Sequence, residues 1–179
     1  MTSKKRVALI TGAESGIGKS TSKIFLDNGY KVICTYLKNN NNKNTKDIEY
    51  HRIDITKNKD WENLALYIKK KFKRIDVLVN SAGVRLSGNL ETTSMSDWSY
   101  HLNNNVTGSF LACKYILPFL KKAKNSSIIN VASINSIRGA KNMLAYATSK
   151  SAVISFTASL ALDLTCLLYT SPSPRDLST

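Results

Sequence analysis

Val7-Ala8-Leu9-Ile10-Thr11-Gly12-Ala13-Glu14-Ser15-Gly16-Ile17-Gly18 is the stretch that decides the fold. Its first five residues are an apolar run closed by a threonine, which reads as a short buried strand over 7–11. Glycines in a GxxxGxG spacing follow, then a helical stretch over 17–28 that stops at Gly29. Glycines at a strand-to-helix turn let the backbone approach a pyrophosphate, which sits on the helix N-terminus. Gly12, Gly16 and Gly18 are therefore candidates for a phosphate cradle, with Ser15 and Ile17 between them. The turn alone is weak evidence, because glycine-rich turns are common and the spacing is not GxGxxG.

Outward from this turn the pattern keeps alternating. Strands are expected over 31–36, 49–53, 75–80 and 128–133. Residues 61–72 are amphipathic, with Trp61, Leu64, Ala65 and Ile68 on one face. A long helix is expected from Asp97 to about 122, and another over 145–164. Residues 37–46 are polar and asparagine-rich and read as a loop. Strands alternating with helices define an α/β fold, a doubly wound parallel sheet of Rossmann type. There is no internal repeat, and residues 1–165 read as one nucleotide-binding domain.

The chemistry stands further along. Tyr146-Ala147-Thr148-Ser149-Lys150 puts a phenol and an ammonium four residues apart, on one helix face. Ser133 closes the apolar run that begins at Ile128, and the carboxyl end of a buried strand faces the ligand crevice of such folds. Tyrosine is a poor base, with a free pKa of about 10, and a nearby ammonium favours the phenolate. The set can give or take a proton beside a serine that holds a carbonyl or alcohol oxygen.

With both ends read, the chain resembles the short-chain dehydrogenase/reductase family. Thr11 to Gly18 matches that family's cofactor turn, and Asn80-Ser81-Ala82-Gly83 resembles its Asn-Asn-Ala-Gly segment, departing at Ser81. Asn105-Val106-Thr107-Gly108 resembles the segment that carries its catalytic asparagine, and Ser133, Tyr146 and Lys150 match its catalytic residues in order and spacing. The likeness runs from about residue 5 to about residue 165. It implies hydride transfer between NAD(P)(H) and a carbonyl or alcohol carbon. Tyr146 would be the proton donor, Ser133 the oxygen holder, and Lys150 a partner of the phenol and of the nicotinamide ribose. Asn105 would hold a water that relays protons to Lys150; Asn103 and Asn104 are its rivals in sequence, as Ser136 is of Ser133. Asp54 would contact the adenine or be an exposed turn residue, and Asn80, Ala82 and Gly83 would lie against the adenosine side. Within the family the chain looks most like 3-oxoacyl-(acyl-carrier-protein) reductases of fatty-acid synthesis, the alternative being a sugar or small-alcohol dehydrogenase. A nucleotide-binding protein without catalysis is the rival from another class. The resemblance further implies a homotetramer built through the long helices.

Cofactor choice turns on the end of the second strand. An acidic residue there would hold the ribose 2′-hydroxyl of NAD. The chain has Tyr36-Leu37-Lys38, so NADP is the expected cofactor, with Lys38 facing its 2′-phosphate and NAD the second possibility.

Composition bounds the rest. With 179 residues, 42% hydrophobic and 21% charged, the chain has the make-up of an ordinary soluble domain. No apolar run approaches the ~18 residues of a membrane span, and the N-terminus lacks a signal-peptide core, so a cytoplasmic protein is expected. The net charge of +14 raises the question of a nucleic-acid partner. Lysines, however, are spread from Lys4 to Lys150, and the dense patches at 69–74 and 121–124 fall near helix C-termini, where cations are favourable. Neither a nucleic acid nor a membrane is expected as partner; a small molecule or a carrier-bound acyl group is. Cys34 and Cys113 fall in apolar stretches and read as reduced core residues, without metal-ligand spacing. His51 and His101 read as structural, without catalytic neighbours.

After Thr165 the character breaks. Cys166 to Asp176 carries two prolines that cannot continue the helix, and it resembles a translated sequencing-library adaptor. Residues 166–179 are expected to be a non-native tail, leaving the sheet incomplete at its C-terminal side and the chain inactive as it stands.

Overall fold

A computed structural model describes residues 5–38 and 43–164. The expected tail at 166–179 lies outside the described residues, as does part of the 37–46 loop. The elements are β1 (Val7–Ile10), α1 (Gly16–Asp27), β2 (Lys31–Tyr36), β3 (Ile48–Arg52), α2 (Asn58–Lys71) and β4 (Val77–Asn80). Then come α3 (Met95–His101), a wide π-helical turn (Leu102–Thr107), α4 (Gly108–Leu120), β5 (Ser127–Asn130), α5 (Asn135–Arg138) and α6 (Leu144–Leu164). Every strand pair is parallel, and the order is β3-β2-β1-β4-β5. This is the expected Rossmann-type sheet. Successive strands leave β1 in opposite directions, so the order reverses between β1 and β4. A crevice opens at the carboxyl ends of strands where such a reversal occurs.

The central strands β1, β2 and β4 are mainly apolar because both sheet faces are covered there. Ala8, Ile10, Val32 and Cys34 pack with Phe25 and Leu26 of α1. Val7, Leu9, Ile33 and Leu78 face the other way, onto Trp61, Leu64 and Ile68 of α2 and Leu111, Ala112 and Ile116 of α4. Trp61 is fully buried and its indole N–H donates to the Ile55 carbonyl at 2.8 Å, so its polar atom is satisfied. Phe156 and Leu160 of α6 join that core, while Ile129 of β5, on the α1 side, stays 46% exposed.

The thiols of Cys34 and Cys113 sit in these cores, and burial pushes each up to about 11. The thiolate is the reactive form. Cys34 and Cys113 should therefore resist a thiol reagent at pH 8 in the native chain and react at once in denaturant. Fast labelling of either in the native chain would mean the core is open.

Three expectations shift. The single helix from Asp97 is broken: α3 begins at Met95, capped by the Ser94 hydroxyl on the Asp97 N–H, and one turn widens at Leu102–Thr107. The extra residue in that turn lets two positions face inward. Asn105 is 1% exposed, and Gly108 packs so closely that a Cβ there would meet Ile55 at 2.6 Å. Wide turns of this kind recur at functional sites. The fifth strand ends at Asn130 rather than Ser133, and the short α5 that follows was not read from the sequence.

Candidate functional site

The crevice at the sheet reversal holds ≈ 890 Å3. Gly12, Ser15, Gly16 and Ile17 form one wall, Tyr36 and Leu37 the β2 side, and Ala82 and Gly83 the β4 side. Gly12 has φ +65°, and a Cβ on it would lie 2.7 Å from Ala82 Cα, so both its conformation and its surroundings require glycine. A Cβ on Gly18 would lie 2.2 Å from the Gly12 carbonyl oxygen, so helix and turn are packed backbone to backbone. Thr11 stitches the turn to β4: its hydroxyl accepts the N–H groups of Ser81 and Ala82, each at 3.0 Å. The sequence quoted Thr11 in the motif without giving it this task.

These features fit an adenine dinucleotide. The turn leaves bare backbone where a pyrophosphate would need room, and the N-terminus of α1 has no side chain capping it. Two buried polar atoms on the β2 side, Glu14 Oε2 and Thr35 Oγ1, have no hydrogen-bond partner among the described residues. Buried polar atoms left open in this way are commonly completed by a ligand or ordered water.

A second layer sits behind Gly83. The Val84 N–H donates to Asn105 Oδ1 at 2.7 Å, and Asn105 Nδ2 donates to the Val84 carbonyl at 3.0 Å and to Ser149 Oγ at 2.8 Å. Ser149 in turn donates to the Tyr146 carbonyl at 2.7 Å. The chain from Val84 to Tyr146 is thus continuous, and both amide hydrogens of Asn105 are engaged by protein. Asn105 clamps the crevice wall to α6; the side chain facing the crevice is that of its neighbour Asn104, whose amide donates to the Tyr100 carbonyl at 2.9 Å.

Lys150 is 6% exposed, and its ammonium donates to the Val131 carbonyl at 2.7 Å, just past β5. Burial holds its pKa below the ordinary lysine value. A Cβ on Gly83 would come within 3.4 Å of that ammonium and 2.9 Å of Asn105 Oδ1. Ser133 follows two residues after Val131; its hydroxyl accepts the Asn135 N–H at 3.2 Å, and Ser136 Oγ accepts the Ser133 N–H at 3.3 Å. Ser151 donates to the Ser136 carbonyl at 2.8 Å, tying this turn to α6 one residue beyond Lys150.

Other expected site residues lie apart. Asn80 does not line the crevice: its amide donates to Asn130 Oδ1 at 2.8 Å and approaches Cys113 Sγ at 3.5 Å, joining β4 to β5 and α4. Asp54 accepts from the Thr56 N–H and hydroxyl, while Ile53 and Ile55 on either side of it line the crevice. Lys38 is exposed and is not on the crevice wall. His101, read from the sequence as having no catalytic neighbour, lies beside the candidate Tyr146. Its ring stands edge-on to that of Tyr146 at 6.3 Å, its Nδ1 donates to the Asp97 carbonyl at 2.7 Å, and its Nε2 accepts the Leu86 N–H at 2.9 Å. Nothing in a lone histidine on a helix signalled this contact.

Asn105→Ala would strand the Val84 N–H and carbonyl and remove one of two partners of the Ser149 hydroxyl, which keeps the Tyr146 carbonyl. Each buried group left unpartnered costs about 1–3 kcal/mol, so the loss should be at least ~2 kcal/mol, visible as a lowered denaturant midpoint. An unchanged midpoint would show the clamp to be dispensable.

A model of the short chain dehydrogenase family matches residues 6–166. The chain is 36% identical over 162 residues to a dehydrogenase/reductase SDR family member 6 of Aquarana catesbeiana, covering 88% of this chain and 64% of that protein. It is 34% identical over 167 residues to a 3-oxoacyl-(acyl-carrier-protein) reductase of Thermotoga maritima, covering 89% and 68%. Among solved structures, a ligand-free aldohexose dehydrogenase of Thermoplasma acidophilum superposes with a TM-score of 0.86 at 34% identity, covering 92% of this chain and 64% of that one. The chain thus spans about two-thirds of the length of these relatives. Parallel sheet, glycine turn and the Tyr146–Lys150 helix stand together in a Rossmann-type fold. The protein belongs to the short-chain dehydrogenase/reductase family.

Proposed function

We propose that the protein is an NAD(P)-dependent oxidoreductase acting on a carbonyl/alcohol carbon, with a 3-oxoacyl thioester as the substrate. The observation that carries this reading is the buried Lys150 ammonium, held by the Val131 carbonyl on the helix that carries Tyr146 one turn earlier. A bound nicotinamide supplies or accepts the hydride. Tyr146 donates the proton that a carbonyl oxygen takes up on reduction, and Ser133 hydrogen-bonds that oxygen. Lys150 provides positive charge beside the phenol and a donor for ribose hydroxyls. Asn105, through Ser149 and Val84, positions the wall against which the phenol works; a water that it held would have to donate to Oδ1 or to a backbone atom, since both amide hydrogens are engaged by protein. Gly12, Ser15, Gly16, Ile17 and Gly18 hold the pyrophosphate, and Ala82 and Gly83 the adenosine side.

The aldohexose dehydrogenase likeness favours one second reading, oxidation of a sugar or small alcohol by the same residues. The assay is nucleotide absorbance at 340 nm with an acetoacetyl thioester in one direction and an aldohexose or glycerol in the other. Turnover of the thioester alone supports the first reading, and turnover of the polyols alone supports the second. Nucleotide binding without turnover of any leaves the non-catalytic alternative.

Partners follow the same reading. The substrate is a small molecule or a carrier-bound acyl group; no nucleic acid or membrane is proposed, and the cytoplasm is the proposed site of action. Among the described residues no helix is long and apolar enough to cross a membrane. We propose a homotetramer, supported by an apolar groove between α4 and α6 in which Phe110, 45% exposed, meets Phe156.

A further inference from the structure

We infer that Glu14 selects the cofactor: its carboxylate accepts the adenosine ribose hydroxyls of NAD(H) and turns away the 2′-phosphate of NADP(H). This rests on the reading of the crevice as a dinucleotide site. Glu14 stands in the glycine turn, two residues after Gly12, and its side chain reaches across to the end of β2. There Oε1 accepts the Leu37 N–H at 3.4 Å, while Oε2 is buried with no hydrogen-bond partner among the described residues. Leu37 is the first residue past β2, close to where dinucleotide folds place the acidic residue that binds the ribose. The carboxylate that the sequence lacks after β2 is therefore delivered from the turn beside it.

Two further observations agree. Thr35 Oγ1, in a residue 1% exposed, is also buried without a hydrogen-bond partner among the described residues, and Thr35 lines the same crevice as Glu14. Among the described residues, Glu14 and Arg85 are the charged side chains lining the crevice, and Arg85 comes from the loop after Gly83. A ribose diol supplies two O–H donors to a carboxylate that has an oxygen to satisfy. A 2′-phosphate supplies no donor when ionised and sets like charges together where water is scarce. Of the cations after β2 and β3, neither Lys38 nor Arg52 stands on the crevice wall, and Arg52 is tied through Nε to the Leu37 carbonyl at 3.1 Å.

The test is equilibrium binding by the full chain, read by nucleotide fluorescence, with NADH and NADPH as probes and 5′-AMP and 2′,5′-ADP as competitors. The native chain should bind NADH at least about tenfold more tightly than NADPH, a difference of ~1.4 kcal/mol. Glu14→Gln keeps the shape and removes the charge; it should bring the two affinities within about threefold, mainly by strengthening NADPH. Glu14→Ala gives an independent second variant, and a thermal melt confirms that each is folded. Equal or tighter NADPH binding by the native chain would overturn the inference, as would an unchanged ratio in both folded variants, while leaving the dinucleotide site standing. Failure to bind either nucleotide or 5′-AMP would overturn the site and the inference with it.

Discussion

Tyr146→Phe is expected to lower turnover by about 10²–10⁴-fold with nucleotide affinity unchanged. The substitution removes one oxygen and keeps the ring, so the edge-on contact with His101 at 6.3 Å and the Tyr146 carbonyl that accepts Ser149 both survive. The loss is then chemical: a carbonyl oxygen gains negative charge on reduction and needs a proton from a group in place. Lys150 cannot substitute, because its ammonium is turned to the Val131 carbonyl at 2.7 Å. Steady-state kinetics beside nucleotide titration checks this, and a phenylalanine variant that turns over at the native rate would remove Tyr146 from the chemistry.

Gly18→Ala should abolish measurable nucleotide binding. A methyl group there would lie 2.2 Å from the Gly12 carbonyl oxygen and 3.1 Å from that of Thr11, and both are backbone. Neither can swing aside as a side chain would, so the turn must move as a unit. Gly12 is itself confined against Ala82, so the displacement passes to the floor of the crevice. Overpacking of this kind costs about 1–3 kcal/mol in stability. The larger effect is on the cradle, whose N–H groups must converge on one anion. Calorimetric titration of the variant with NADH reads this directly, and native affinity would show that the turn does not hold the pyrophosphate.

Much of this architecture was legible in the sequence because the parallel strands are buried on both faces. Val7 to Ile10 and Val77 to Asn80 are all buried, so each reads as an unbroken apolar run between turn residues. Helix α2 was legible for the opposite reason: only one face is buried, and Trp61, Leu64 and Ile68 mark its period. The break before α4 was not, since a wide turn shifts the period by one residue inside a helical pattern. Only the packing explains it: Asn105 must reach Ser149 while Gly108 closes on Ile55. Strand β5 was read too long because Val131 and Ala132 continue the apolar run. The Val131 N–H still reaches the Asn80 carbonyl at 3.0 Å, but its carbonyl goes to Lys150, and the strand ends there.

For the site, local spacing identified residues that share one helix or one turn. It failed where the partner is distant in sequence. Asn80 looked like a cofactor residue but joins Asn130, fifty positions away. Glu14 was given no role, because the carboxylate expected near the ribose was sought after β2. The pairing of β1 with β2 sets the end of one strand beside the turn that follows the other. That lateral relation is invisible in a linear reading.

The most direct measurement is isotopic. NADH and NADPH dideuterated at C4 of the nicotinamide are incubated with the protein and an acetoacetyl thioester, in parallel with dihydroxyacetone, and the alcohol product is weighed by mass spectrometry. The account predicts one deuterium on the carbinol carbon of the product, formed by the protein completed beyond Thr165 to the length of its relatives and nearly absent with Tyr146→Phe in that protein. Product without deuterium, or no product from either substrate while nucleotide is bound, would contradict it.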